Sequence, residues 1–154
     1  MTFRPMLGAL ALLALGACGP APDSLRSALP AGDAALLLPQ GGLWQVVSIE
    51  GFALPRHNGI LLRRDAQGFT GTTACNRFRA ALSQQTGSST ISIGPVMMTR
   101  RACLGHFAGQ EAAFVGALGQ ADGVAAITDA QVALTRGGMV MMTLSPAPHG
   151  DADD

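Results

Sequence analysis

The chain has no tyrosine and one tryptophan, Trp44, and aromatic residues make up 5% of it. A stacking platform for bases or sugars is therefore not evident. Charge is scarce as well: charged residues are 13% of the chain, and ten basic side chains cancel ten acidic ones. With no basic stripe, nucleic-acid binding lacks its electrostatic footprint. The sequence shows no Walker loop, no dinucleotide fingerprint, no Gly-x-Ser-x-Gly and no His-Glu-x-x-His, and it shows no internal repeat. Past the first 17 residues no apolar segment reaches the roughly 18 residues of a spanning helix. Cysteine is limited to Cys18, Cys75 and Cys103.

What the chain does have begins at its amino end. Arg4 stands beside the free terminus, and an unbroken apolar run from Met6 to Ala17 follows. At about 1.5 Å rise per residue the run reaches roughly 18 Å, short of the roughly 30 Å hydrocarbon core, which fits a signal-peptide core rather than a spanning helix. The run closes with Leu15-Gly16-Ala17-Cys18, which resembles the bacterial lipobox. That resemblance implies diacylglycerol on the Cys18 thiol, removal of residues 1–17, and a mature chain anchored by two or three acyl chains on one residue. Gly19 stands where an Asp tends to retain proteobacterial lipoproteins in the inner membrane, so the resemblance favours the outer membrane. The expected location is the cell envelope, lipid-anchored and facing the periplasm.

Residues 18–40 read as a lipidated start and a Pro/Ala-rich tether, with Pro20, Pro22, Pro30 and Pro39. As a flexible coil it would span about 25 Å. Leu36-Leu37-Leu38 is a candidate first strand or pre-strand patch. Residues 41–145 read as the folded domain, long enough for one core and short for two. Residues 146–154 read as an acidic disordered tail. Strand composition appears at 43–49, 59–64, 68–73, 90–93 and 131–135. Gly137-Gly138 reads as a hairpin turn into 139–144. His106 to Gln120 places Phe107, Phe114, Val115 and Leu118 on one helical stripe. Short antiparallel strands around one amphipathic helix predict an α+β fold, with a strongly curved sheet or incomplete barrel.

These landmarks match a known family in order. Leu43-Trp44-Gln45-Val46 with Gly51 is similar to the opening strand of the META domain, the HslJ-like heat-shock protein family. Gly71-Thr72-Thr73-Ala74-Cys75-Asn76-Arg77-Phe78 resembles its Gly-x-x-Gly-Cys-Asn-Arg-Phe/Tyr signature. Ile93-Gly94-Pro95 and Thr99-Arg100-Arg101-Ala102-Cys103 resemble its second signature, and Gln110-Glu111 with Phe114 resembles the helix that follows. The resemblance implies an α+β, partly barrel-like domain of an envelope protein, associated with heat and antibiotic stress and without a settled catalytic activity. The family usually has Gly at position 74, and Gly and Tyr where this chain has Ala80 and Leu82. Ala at 74 suggests a less strained turn, and Leu82 removes a hydroxyl that could have lined a groove.

With Cys18 acylated, Cys75 and Cys103 remain as a pair, and an oxidising periplasm favours their disulfide. Closing a loop of about 29 residues would stabilise the domain by roughly 3–4 kcal/mol in the chain-entropy model. Two buried, reduced thiols are the plain alternative. Cys103 and His106 have Cys-x-x-His spacing, and with Cys75 they form a thin zinc set without a fourth ligand. A Cys–His nucleophile oriented by Glu111 is a further arrangement. Met97-Met98 and Met139, Met141 and Met142 could suit Cu(I), although core filling is the commoner use of methionine. If the cysteines meet, Arg77, Arg100 and Arg101 meet as well. They then form a small cationic patch that either receives an anionic partner or is a solvated rim. The sequence therefore reads as a non-enzymatic, monomeric binding domain. It would carry no cofactor or resident metal, and its partner would be an envelope protein or a small apolar ligand. The alternative is a metal-binding or thiol-redox protein using Cys75, Cys103 and His106.

Overall fold

A computed structural model describes residues 32–148. Cys18, the leader, most of the tether and the acidic end of the tail lie outside the described residues. The elements in chain order are α1 (Ala34–Leu37), β1 (Leu43–Ile49), β2 (Ile60–Arg64), β3 (Gly68–Thr73), β4 (Arg77–Gln84), β5 (Ile91–Ile93), β6 (Met97–Met98), α2 (His106–Gln120), β7 (Gly123–Thr128), β8 (Gln131–Arg136) and β9 (Met139–Pro146). The sheet runs β5-β4-β3-β2-β1-β9-β8-β7, with β6 on the flank of β4, and every described pairing is antiparallel. Its two ends meet: Thr90 bridges Gly123, Ile91 N–H donates to Asp122 O, and Val124 N–H donates to Ser89 O. The result is the nearly closed, curved α+β sheet with one main helix that the sequence predicts.

The barrel closes over α2. Phe114 and Leu118 on the helix are fully buried among Val46, Ile60, Leu62, Phe69, Leu134 and Leu144 of the strands. Phe114 meets the Phe78 ring edge to face at a centroid distance of 4.8 Å. The stripe differs from expectation at its start. Phe107 is exposed and lies against the His106 ring, while Gln110 takes the buried place and donates its amide to Asn58 O at 2.6 Å. The strand alternation at β1 also breaks once. Trp44 and Val46 point inward, a register shift lies between Val46 and Ser48, and the next buried residue is Ile49. A bulge with one extra residue has this effect on inward-facing positions.

Leu36-Leu37-Leu38 does not form a strand. Asp33 caps a single helical turn by accepting from Ala35 N–H at 2.8 Å, and it also accepts from Gly87 N–H at 3.2 Å. The buried Arg64 guanidinium donates to the Leu38 and Ala34 carbonyls and, at 2.6 Å, to Gln84 Oε1. Burial pushes the Arg64 pKa below its usual value, and the nearby Asp33 partly offsets this. Ala34 and Leu38 are buried, so the folded body takes in the last part of the stretch expected as tether. The Gly137-Gly138 hairpin forms as expected, with both glycines at positive φ (55° and 81°), as a two-residue primed turn requires.

Candidate functional site

The two signature stretches meet where β3 turns into β4. Gly71 sits in β3 between β2 and β4, and a Cβ there would lie 1.9 Å from Leu61 O and 2.9 Å from the Phe78 ring. Only glycine allows the three strands to approach this closely. The turn itself is built on Thr73, whose N–H donates to Asn76 O at 2.8 Å while its hydroxyl accepts from Asn76 N–H at 3.1 Å. Ala74 in that turn adopts φ 68°, and its N–H donates to Gly59 O. The turn is therefore the left-handed one that favours glycine, and Ala in place of the family's Gly strains it rather than relaxing it.

Asn76 is the hub. Its side chain is 3% exposed, and both ends are engaged. Oδ1 accepts from Thr99 Oγ1 and from Arg101 N–H, each at 2.8 Å. Nδ2 donates to Glu111 Oε1 at 3.1 Å and Oε2 at 3.0 Å, and it lies 3.2 Å from Cys103 Sγ. Thr73 Oγ1 donates to Glu111 Oε2 at 2.6 Å, so the carboxylate of α2 is held by two side chains of the turn. Hydrogen bonds to a charged acceptor are the shorter and stronger kind. Thr99 completes the circuit: its hydroxyl accepts from Arg77 N–H at 3.1 Å and its N–H donates to Arg77 O at 3.0 Å.

Cys75 and Cys103 are joined by a disulfide across 28 positions of sequence, with Cα atoms 5.9 Å apart. It links the turn to the segment entering α2. Glu111 Oε2 lies 3.6 Å from Cys103 Sγ, and ligand-type atoms of Cys75, Cys103 and Glu111 fall within 4.8 Å of one another. His106 is not in that group. It is exposed at the start of α2, with its ring 4.0 Å from that of Phe107, so the Cys-x-x-His set and the Glu111-oriented base are not assembled. Nor are the methionine clusters brought together. Met97-Met98 flanks β4, whereas Met139, Met141 and Met142 lie on β9 between β1 and β8. Met142 is fully buried, but Met139 and Met97 are 63% and 58% exposed, so core filling accounts for only part of the set.

Gly94 N–H donates to Ala81 O at 2.9 Å, and Gly94-Pro95 carries the chain from β5 to β6. Phe78 is buried against Phe114, and Arg100 is exposed. Outside the polar hub lies a cleft of about 310 Å³ lined by Thr72, Ala74, Cys75, Asn76, Arg77, Thr99 and Arg101. The sequence reading did not single out Thr73 as a site residue. The signal was a threonine directly before a tight turn, where a hydroxyl commonly satisfies backbone N–H groups.

None of the curated proteins matches the chain. Its fold is similar to the NMR structure of a protein from Burkholderia xenovorans, with 22% identity, a TM-score of 0.59, and coverage of 97% of this chain and 100% of that one. The META domain family model matches residues 37–148, and it is to the META domain family that the chain belongs.

Proposed function

We propose that this chain is a lipid-anchored envelope protein whose META domain acts by binding a partner rather than by catalysis. One observation carries the reading: the signature residues converge on a hub whose groups are engaged with one another. Asn76 is bonded at both ends, Glu111 receives Asn76 and Thr73, and both sulfurs share one bond. A nucleophile or general base needs an available group poised toward a substrate. Here those groups instead fix the walls of a cleft.

Anchoring rests on Leu15-Gly16-Ala17-Cys18 and the short apolar run before it, and Gly19 favours the outer membrane. A stress-related role follows from the family resemblance. The experiment is to compare wild type with Cys18→Ser for palmitate incorporation and membrane fractionation, then crosslink intact cells and identify what is captured. The reading expects labelling lost in Cys18→Ser and a specific adduct in wild type. An unlabelled wild-type chain with no adduct would contradict it.

The second reading, a thiol-redox protein that takes up a metal only once its disulfide is reduced, is favoured by the closeness of Cys75, Cys103 and Glu111. It differs from the sequence version by exchanging His106 for Glu111. Metal analysis and thiol titration of protein purified from the periplasm separate the two readings.

A further inference from the structure

We propose that the cleft between Arg77 and Arg101 binds a phosphate group, either free or as the monoester headgroup of a lipid. This rests on the binding-domain reading above and adds the chemistry of the ligand. All ten basic residues of the chain are arginine. The guanidinium fork is planar, permanently charged and suited to two-pronged contact with phosphate oxygens.

The two arginines are rooted in the same hub. Arg77 follows Asn76, and Arg101 N–H is held by Asn76 Oδ1 at 2.8 Å. Thr99 is bonded to Arg77 through both its N–H and its hydroxyl, and the Cys75–Cys103 bond closes the frame. Fixed backbone roots reduce the ordering that binding must impose.

Among the described residues, no carboxylate is paired with either guanidinium, and the nearest acidic groups are engaged elsewhere. Glu111 is drawn inward by Asn76 and Thr73. Asp65 accepts from Gln67 N–H and Gly68 N–H in its own turn and lines, with Arg79, a neighbouring pocket rather than this cleft. The Thr72 hydroxyl donates to Gly59 O and the Thr99 hydroxyl to Asn76 Oδ1, so the side-chain N–H groups facing the cleft come chiefly from guanidinium. Such a donor set selects a full anion over a neutral polar ligand.

Strand alternation extends the surface. Arg79 stands two residues beyond Arg77 on the same outer face of β4, paired with Thr70, and Thr70 pairs in turn with Arg63. At about 4.8 Å between strands, Arg63 and Arg79 flank the small threonine at roughly twice that spacing. Several phosphates of a lipid surface could meet this face together.

The test uses the full chain with Cys18→Ser, so that acylation cannot hold it to a membrane. Calorimetric titration with inorganic phosphate is run beside co-sedimentation with phosphatidylcholine vesicles, with and without phosphatidate. The proposal expects saturable binding of phosphate, or binding to phosphatidate vesicles that phosphate competes away. The first result alone indicates a soluble ligand, and the second a lipid headgroup. Arg77→Gln and Arg101→Gln should each weaken binding roughly tenfold, as loss of a charge-assisted contact does. Arg136→Gln, on β8, should leave it unchanged. Because both cleft arginines are exposed, the thermal midpoint of the Gln variants should stay at that of the parent, separating lost contact from lost fold. Absence of binding in both assays, or undiminished binding by the double Gln variant, overturns the proposal. Either failure, alongside intact acylation and a crosslinked partner, leaves the anchored binding reading standing.

Discussion

The Asn76 amide donates to both carboxylate oxygens of Glu111, at 3.1 and 3.0 Å, and so ties the β3–β4 turn to the first half of α2. Everything around the cleft hangs on this pair: Thr73 bonds the same carboxylate, and Thr99 and Arg101 bond the other end of the same amide.

Asn76→Asp sets a carboxylate in a buried position against the half-buried one of Glu111. Like charges at this distance cannot both ionise without penalty, and the Nδ2 donors are lost. Urea unfolding at neutral pH should show a loss of about 3 kcal/mol. Protonating one member of the pair relieves that repulsion. The gap between variant and wild type should therefore narrow on acidification. A gap that stays constant between neutral and acid pH would contradict the pairing.

Removing the disulfide with paired Cys75→Ser and Cys103→Ser should lower stability by roughly 3–4 kcal/mol. Reduction of wild type should give a similar loss. The measurement is denaturant unfolding with and without reductant, and the double variant should no longer respond to reductant.

Ala74→Gly should stabilise the domain. Ala at φ 68° carries a left-handed penalty of roughly 1–2 kcal/mol, and glycine returns part of that gain through its freer unfolded chain. A net gain of about 1 kcal/mol in urea unfolding is expected, and a loss would show that the turn is not strained.

Arg64→Met should release α1. The guanidinium holds the Ala34 and Leu38 carbonyls and Gln84 Oε1. Its removal leaves buried acceptors without partners, at about 1–3 kcal/mol each when they stay dry. Hydrogen exchange at the Leu38 amide, which bonds Ala34 O, should accelerate more than exchange in β8.

Much of the fold was legible because its signals are local. Alternation marked the β5 and β8 regions, and the Gly137-Gly138 pair marked the last hairpin. β4 alternates just as cleanly, Arg77 out and Phe78 in, but its residues read first as a family signature and not as a strand. β7 is Gly-Val-Ala-Ala-Ile-Thr, whose alanines carry little strand preference, and pairing with β8 decides its state. Leu36-Leu37-Leu38 looked like strand material because the Asp33 cap and the Arg64 clamp act across sequence distances that composition does not reveal. At the site, the cysteine pair was readable from parity and the expected compartment. The partnership of Asn76 with Glu111 was not, because 35 positions separate them and only the closing of the barrel over α2 brings them together. His106 misled because Cys-x-x-His spacing is local, while the helix turns the imidazole outward onto Phe107.

The most direct measurement of the central claim, that the signature cysteines close a structural frame around a binding cleft, is the intact mass of the chain extracted from membranes, taken before and after reduction and alkylation. The account predicts an acylated chain starting at Cys18, no alkylation without reductant, and two alkyl groups, on Cys75 and Cys103, after it. Two thiols that alkylate freely in the unreduced, natively extracted chain would contradict it.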